Sequence, residues 1–208
     1  LSIGIELQKN SLGRATPMTR TVSFRRMADG TRADYELLNE YASDFAAGLP
    51  ARILAGLRRL DTSLEGYPVS RLAHSLQTAT RAEAAGADDE MVLGALMHDI
   101  GDDLAPYNHA AIAAAILRPY VRDEVTWVVA KHGLFQSYYY AHHLGGDRLL
   151  RDRLKDHPWY AVCVRFCEWD QASFDPDYAT RPLDYFEPLL RRIFLRSTSD
   201  HSIDSSAI

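Results

Sequence analysis

From residue 32 onward the apolar positions recur at helical spacing, and alternation with the two-residue period of a strand is nearly absent. TRADYELLNEYASDFAAGL carries Tyr35, Leu37, Leu38, Tyr41, Phe45 and Leu49 at intervals that fall on one side of a helix. Pro50 opens a second helix, PARILAGLRRL. After the turn GYP at 66–68, VSRLAHSLQTATRAEAAG reads as a third helix closed by Gly86. Asp88 or Asp89 caps a fourth, DEMVLGALMHDIG, and Asn108 a fifth, HAAIAAAILRPY. RDEVTWVVAKHG forms a sixth, closed by Gly133, and HPWYAVCVRFCEWDQASF a seventh with Pro158 at its start. PLDYFEPLLRRIFLR is an eighth, interrupted or kinked at Pro188. The pattern predicts one all-α domain of seven to eight helices over 32–197. A loosely structured extension at 1–31 precedes it and a polar tail at 198–208 follows it.

Composition narrows this picture only slightly. A chain of 208 residues that is 47% hydrophobic and 25% charged can bury a sizeable core as one soluble domain. The net charge of -5, with no basic block, argues against a nucleic-acid partner. No apolar stretch approaches the length of a membrane span. LSIGIELQKNSLGRATP lacks the charged and apolar regions of a signal peptide. The expectation is a cytoplasmic protein. Cys163 and Cys167, in CVRFC, share a helix face and read as reduced thiols, with no C-x-x-C redox motif.

The chemistry-bearing residues fall on the helical map at telling places. His74 lies inside the third helix, and His98 and Asp99 end the fourth. His109 begins the fifth, His132 ends the sixth, and Asp170 lies near the end of the seventh. One histidine on a helix is ordinarily a hydrogen-bonded core or surface residue, and His142, His143, His157 and His201 are read that way. A bundle core can nevertheless collect such side chains from separate helices around metal ions. Four imidazoles and two carboxylates suit iron, manganese or zinc better than copper(I).

The joint pattern resembles the HD-domain superfamily of metal enzymes, over roughly residues 64–196. Its densest part, HSLQTATRAEAAGADDEMVLGALMHDIGD, is similar to the mixed-valent di-iron oxygenase branch. That branch includes the oxygenase that cleaves 2-amino-1-hydroxyethylphosphonate and, more distantly, myo-inositol oxygenase. The resemblance implies a helical bundle with a dinuclear metal site in its core. His74, His98, Asp99 and Asp170 would hold one iron, His109 and His132 the second, with Asp99 bridging a mixed-valent Fe(II)/Fe(III) pair. The implied partners are a small-molecule substrate and dioxygen.

Around the ligands the chain departs from these relatives. Phosphohydrolases of the superfamily often continue HDIGK or HDIGH, and the oxygenases likewise place a basic residue there; this chain has Asp102. The oxygenase's tyrosine and glutamate positions are Leu64 and Tyr67, its lysine position is Gln136, and its arginine position is Cys167. Asp102 is expected to face the metal cavity beside Asp99, as a second candidate catalytic carboxylate, and to disfavour a phosphonate there. Tyr67, Arg71, Lys131, Gln136 and Arg165 are the candidate substrate contacts, with Arg148 as a further cation. The aromatics Phe135 and Tyr138 to Tyr140 are either core or a wall that holds a quaternary ammonium.

Three functions stay open on this reading. The first is an oxygenase that cleaves a C–P or C–C bond of a small hydroxylated substrate. The second is a phosphohydrolase using iron, manganese or zinc on a phosphate ester or nucleotide. The third is a non-catalytic binding module on the same scaffold.

Overall fold

A computed structural model describes residues 20–196, together with the backbone of two short strands before them. The expected polar tail at 198–208 lies outside the described residues, as does much of the expected extension at 1–31. The chain divides into two compact units, Leu1–Gly48 and Leu49–Ile208.

In the first unit, β1 (Leu7–Lys9) and β2 (Ala15–Pro17) pair antiparallel, a hairpin the periodicity did not predict. Helix α1 (Arg32–Ala47) starts at a capping box. The Asp34 backbone N–H donates to the Thr31 hydroxyl at 3.3 Å, and the Thr31 N–H donates to the Asp34 carboxylate at 2.9 Å. The only buried α1 residue is Asp34; Tyr35, Leu38, Tyr41 and Phe45 are exposed. The two units meet in sequence at Gly48 rather than at residue 31.

The second unit is helical throughout its described residues. It comprises α2 (Leu49–Arg59), α3 (Arg71–Ala84), α4 (Asp89–Met97), α5 (His109–Leu117), α6 (Asp123–Tyr140), α7 (Tyr160–Gln171) and α8 (Leu183–Phe194), with short 3-10 turns between. Helix α4 packs on α3, α6 and α8; α6 also packs on α5 and α7; and α3 closes against α7. Every residue of α4 from Met91 to Met97 is buried, so its sequence is apolar all round. Leu93, Leu96, Val125, Val128, Phe166 and Leu190 meet in the core with no exposed surface. The caps are local. The Asp88 carboxylate accepts from the Met91 N–H at 3.0 Å, the Ser70 hydroxyl accepts from the Ala73 N–H at 3.1 Å, and Gly86 ends α3 with φ of 76°. Among the described residues, no helix is long and apolar enough to cross a membrane.

Four local expectations are corrected. Helix α6 is not closed at Gly133 but runs on to Tyr140, which leaves His132 in mid-helix. Pro188 does not interrupt α8, which runs through it from Leu183 to Phe194; as the sixth residue it forgoes the N–H bond to the Asp184 carbonyl, and the packing of the flanking residues carries the helix on. Asn108 occupies the N-cap position of α5, but its side chain makes no capping hydrogen bond. His98 and Asp99 lie just beyond the last α-helical residue of α4, on the turn that follows.

Candidate metal centre

Five elements deliver the six candidate ligands to one place. His74 comes from the first turn of α3, and His98 and Asp99 from the turn after α4. His109 is the first residue of α5, His132 lies within α6, and Asp170 is in the last turn of α7. His74, His98, Asp99, His132 and Asp170 are buried, whereas the His109 side chain remains 25% exposed.

Each imidazole is held by a backbone carbonyl at Nδ1. The acceptor is Ser173 for His74 at 2.9 Å, Ala95 for His98 at 2.8 Å, Pro106 for His109 at 3.2 Å and Val129 for His132 at 2.7 Å. A carbonyl only accepts, so Nδ1 carries the proton and Nε2 of each neutral ring is a free lone pair. This is how metal-bound histidines are oriented. Two of the supports have visible local causes. The Gln77 side chain donates to the Asp175 carbonyl at 2.7 Å and accepts from its N–H at 3.3 Å, which fixes the loop after α7 over α3 and sets the Ser173 carbonyl on His74. At Gly101 a Cβ would lie 2.7 Å from the His109 carbonyl oxygen, so only glycine lets the start of α5 press this close to the turn bearing Asp99.

The free nitrogens converge in pairs. His74 and His98 bring their Nε2 atoms to 3.1 Å, and His109 and His132 bring theirs to 3.3 Å. Two atoms bound to one ion at about 2.0–2.2 Å, with angles of about 90–109°, stand roughly 3.0–3.4 Å apart. Two facing lone pairs at this distance repel unless a proton or a metal ion lies between them. The Asp99 carboxylate divides itself between the pairs. Its Oδ2 lies 2.9 Å from His98 Nε2 and 3.4 Å from His74 Nε2, and its Oδ1 lies 3.4 Å from His109 Nε2 and 3.5 Å from His132 Nε2. Asp170 joins the first pair, with Oδ1 at 3.1 Å from His74 and 3.6 Å from His98. Its other oxygen is buried with no hydrogen-bond partner. An orphaned carboxylate oxygen beside converging lone pairs fits a bound cation.

The electrostatics agree. Burial alone would push the His98 imidazole down, but the Asp99 and Asp170 carboxylates overcome it and raise it from 6.5 to about 10. Burial likewise opposes the charged forms of Asp99 and Asp170, yet His98 above all holds both well below the usual carboxylate range. The raised His98 value stabilises the metal-free fold fully below 6.5, and that contribution is lost as pH rises through about 10. The carboxylate contributions have the opposite sense, being present above 3.8 and lost as pH falls below it. Metal must therefore displace the His98 proton. At pH 7, loading the metal-free protein is expected to release at least about one proton, and affinity should rise about tenfold per pH unit toward the His98 value. Calorimetry in buffers of different ionisation heat counts the protons; a heat independent of buffer would contradict this.

A cavity of about 420 Å³ opens over the cluster. Its walls include Tyr67, Arg71, Gly133, Gln136, Tyr139, Tyr140 and Phe174. Tyr67 stacks on Phe174 with ring centroids 4.9 Å apart, and Phe174 stacks on His74 at 4.4 Å. Of the expected substrate contacts, Tyr67, Arg71 and Gln136 line this cavity, while Lys131 and Arg165 do not. Helical geometry gives the reason: Lys131 precedes His132 by about 100° of helix rotation, and Arg165 stands about 140° from Asp170 on α7. Arg148 is also elsewhere, over the Tyr138 ring at 4.1 Å, with Arg151 over the same ring at 3.6 Å. Of the aromatics, Phe135 is core, and Tyr139 and Tyr140 form cavity wall.

Asp102 approaches the site but does not stand free in it. Its carboxylate accepts from Arg71 Nε at 2.9 Å and lies 3.3 Å from His109 Nδ1. Arg71 also donates through Nη2 to Asp99. Asp102 is thus paired with the Arg71 guanidinium, which it shares with Asp99. Phe174 and the Ser173 carbonyl were missed in the sequence, whereas Tyr139 and Tyr140 take the wall position offered for them. Phe174 sits past the end of α7, where no periodicity marks which way it faces.

Residues 71–163 match the HD domain family model. The chain is also similar to [1-hydroxy-2-(trimethylamino)ethyl]phosphonate dioxygenase (glycine-betaine-forming) of Leisingera caerulea, at 34% identity over 92 residues. That alignment covers 39% of this chain and 47% of the relative, so the chain spans about half the length of the curated protein it matches.

Proposed function

We propose that this HD-domain protein is a non-haem di-iron oxygenase, oxidatively cleaving a C–P or C–C bond of a small hydroxylated substrate. The carrying observation is the Asp99 carboxylate, whose two oxygens face two separate histidine pairs. His74, His98, Asp170 and Asp99 would hold one iron, and His109, His132 and Asp99 the other. When bound, the iron pair supplies the redox chemistry with dioxygen and the sites that a substrate hydroxyl chelates.

The chain's own residues shape what binds. Arg71 is the one Lys or Arg side chain among those lining the cavity, and Asp99 and Asp102 already engage it. The rest of the wall beyond the ligands is mainly aromatic: Tyr67, Tyr139, Tyr140 and Phe174. Aromatic faces attract an alkylammonium group by cation–π interaction. This agrees with the trimethylamino group in the name of the Leisingera protein. A hydroxylated phosphonate with a cationic end is accordingly the favoured substrate class. Gln136, whose side chain donates only a long hydrogen bond of 3.4 Å to the Cys167 carbonyl, is free to turn toward it. The same donor set also suits manganese or zinc, which keeps a phosphohydrolase as the second reading.

Iron loading under anaerobic conditions separates the two. The expected result is a mixed-valent iron resonance that shifts on adding a 1-hydroxyphosphonate, followed by oxygen consumption and phosphate release on admitting air. Phosphate-ester hydrolysis by the manganese or zinc form, with no oxygen uptake by the iron form on any hydroxylated substrate, would establish the hydrolase instead.

A further inference from the structure

Gly133 has no structural reason to be glycine. It lies inside α6, which continues for seven residues beyond it, and glycine is the poorest helix-interior residue after proline. Its backbone is not in the left-handed region, which among the described glycines only Gly66, Gly86 and Gly145 adopt. Nor does close packing demand it. A Cβ at Gly133 would meet nothing within 4 Å, whereas one at Gly101 would strike His109 and one at Gly94 would strike Val125 at 2.8 Å. What Gly133 does face is the cavity. Helix α6 lines that cavity with His132, Gly133, Gln136, Tyr139 and Tyr140, so the missing side chain leaves room directly beside a candidate ligand.

We propose that Gly133 sets the size of the group a substrate carries next to its metal-chelating oxygens. It keeps space over the α6 backbone for a branched or ring-sized tail running from His132 toward Gln136 and the Tyr139–Tyr140 wall. The inference rests on the metal-centre reading and not on which reaction follows. A small chelator with no tail does not need this space.

The test uses the metal-loaded full chain and two hydroxamic acids, which chelate through two oxygens whatever the enzyme's chemistry: acetohydroxamate, with a methyl tail, and benzohydroxamate, with a ring. Wild type, Gly133→Ala and Gly133→Leu are compared by titration and thermal melting. Acetohydroxamate affinity is expected to stay within about twofold across all three, while benzohydroxamate weakens slightly in the alanine variant and roughly tenfold or more in the leucine variant. The alanine variant is expected to melt about 2–4 °C higher than wild type, because helix propensity improves and nothing is crowded. A structural glycine would move the melting point the other way. Equal benzohydroxamate affinity in wild type and Gly133→Leu, or a lower melting point in Gly133→Ala, overturns the proposal. A wild type that takes acetohydroxamate but not benzohydroxamate also overturns it, since the space would be absent. Failure of wild type to bind either compound overturns the metal-centre reading and this inference with it, whereas hydrolase activity with intact size discrimination leaves only the oxygenase reading refuted.

Discussion

Asp99→Ala is expected to strip the protein of both metals and of all activity, whereas His109→Ala should leave about one ion per chain. Asp99 is the only candidate ligand whose two oxygens face both histidine pairs, at 2.9–3.4 Å on one side and 3.4–3.5 Å on the other. His109 touches only the second pair, and its 25% side-chain exposure lets water fill its place. Loss of the bridge should exceed the roughly 10–100-fold cost in affinity that outer-shell changes bring. Metal analysis after dialysis, on Asp99→Ala and on the near-isosteric Asp99→Asn, reads the difference. Full occupancy in Asp99→Ala would rule out the bridging role. Equal, complete loss in Asp99→Ala and His109→Ala would instead mean that the two ions bind as one inseparable unit.

Arg71→Gln should destabilise the metal-free protein much more than the metal-loaded one. The guanidinium is 10% exposed and donates to both Asp99 and Asp102, whose side chains are 1% and 11% exposed. Burial would lower its pKa, but Asp99 and Asp102 outweigh burial and raise it, so the charge is firmly held. Breaking a buried pair by removing one partner costs about 3–5 kcal/mol, which for a chain of this size is a fall of about 6–20 °C in melting temperature. Metal ions on Asp99 supply the missing positive charge, so most of that loss should vanish after loading. Melting curves of the two proteins, each with and without metal, are the measurement. An equal fall in both states would show that Arg71 acts only on Asp102 and packing, and not on the carboxylate assigned as the bridge.

The helices and the candidate ligand residues were legible because both depend on local order. A 3.6-residue apolar period and the caps at Gly86 and Asp88 specify where α3 ends and α4 begins without reference to any distant residue. The residue types His74, His98, Asp99, His109, His132 and Asp170 declare their chemistry by themselves, and their places on helices made convergence expected. The tertiary structure decided everything that depends on direction and on distant partners. Lys131 adjoins His132 and Arg165 shares α7 with Asp170, but neither lines the cavity, since each residue advances a helix by about 100°. The charge of Asp102 is answered by Arg71, 31 residues earlier, and His74 is oriented by a carbonyl 99 residues later. Glycine at 133 reads locally as a helix stop, yet packing of α6 against α5 and α7 carries the helix through it. Local propensity is weak compared with the burial of Val128, Val129, His132 and Phe135 along one helix face, so tertiary contacts determined where that helix ends.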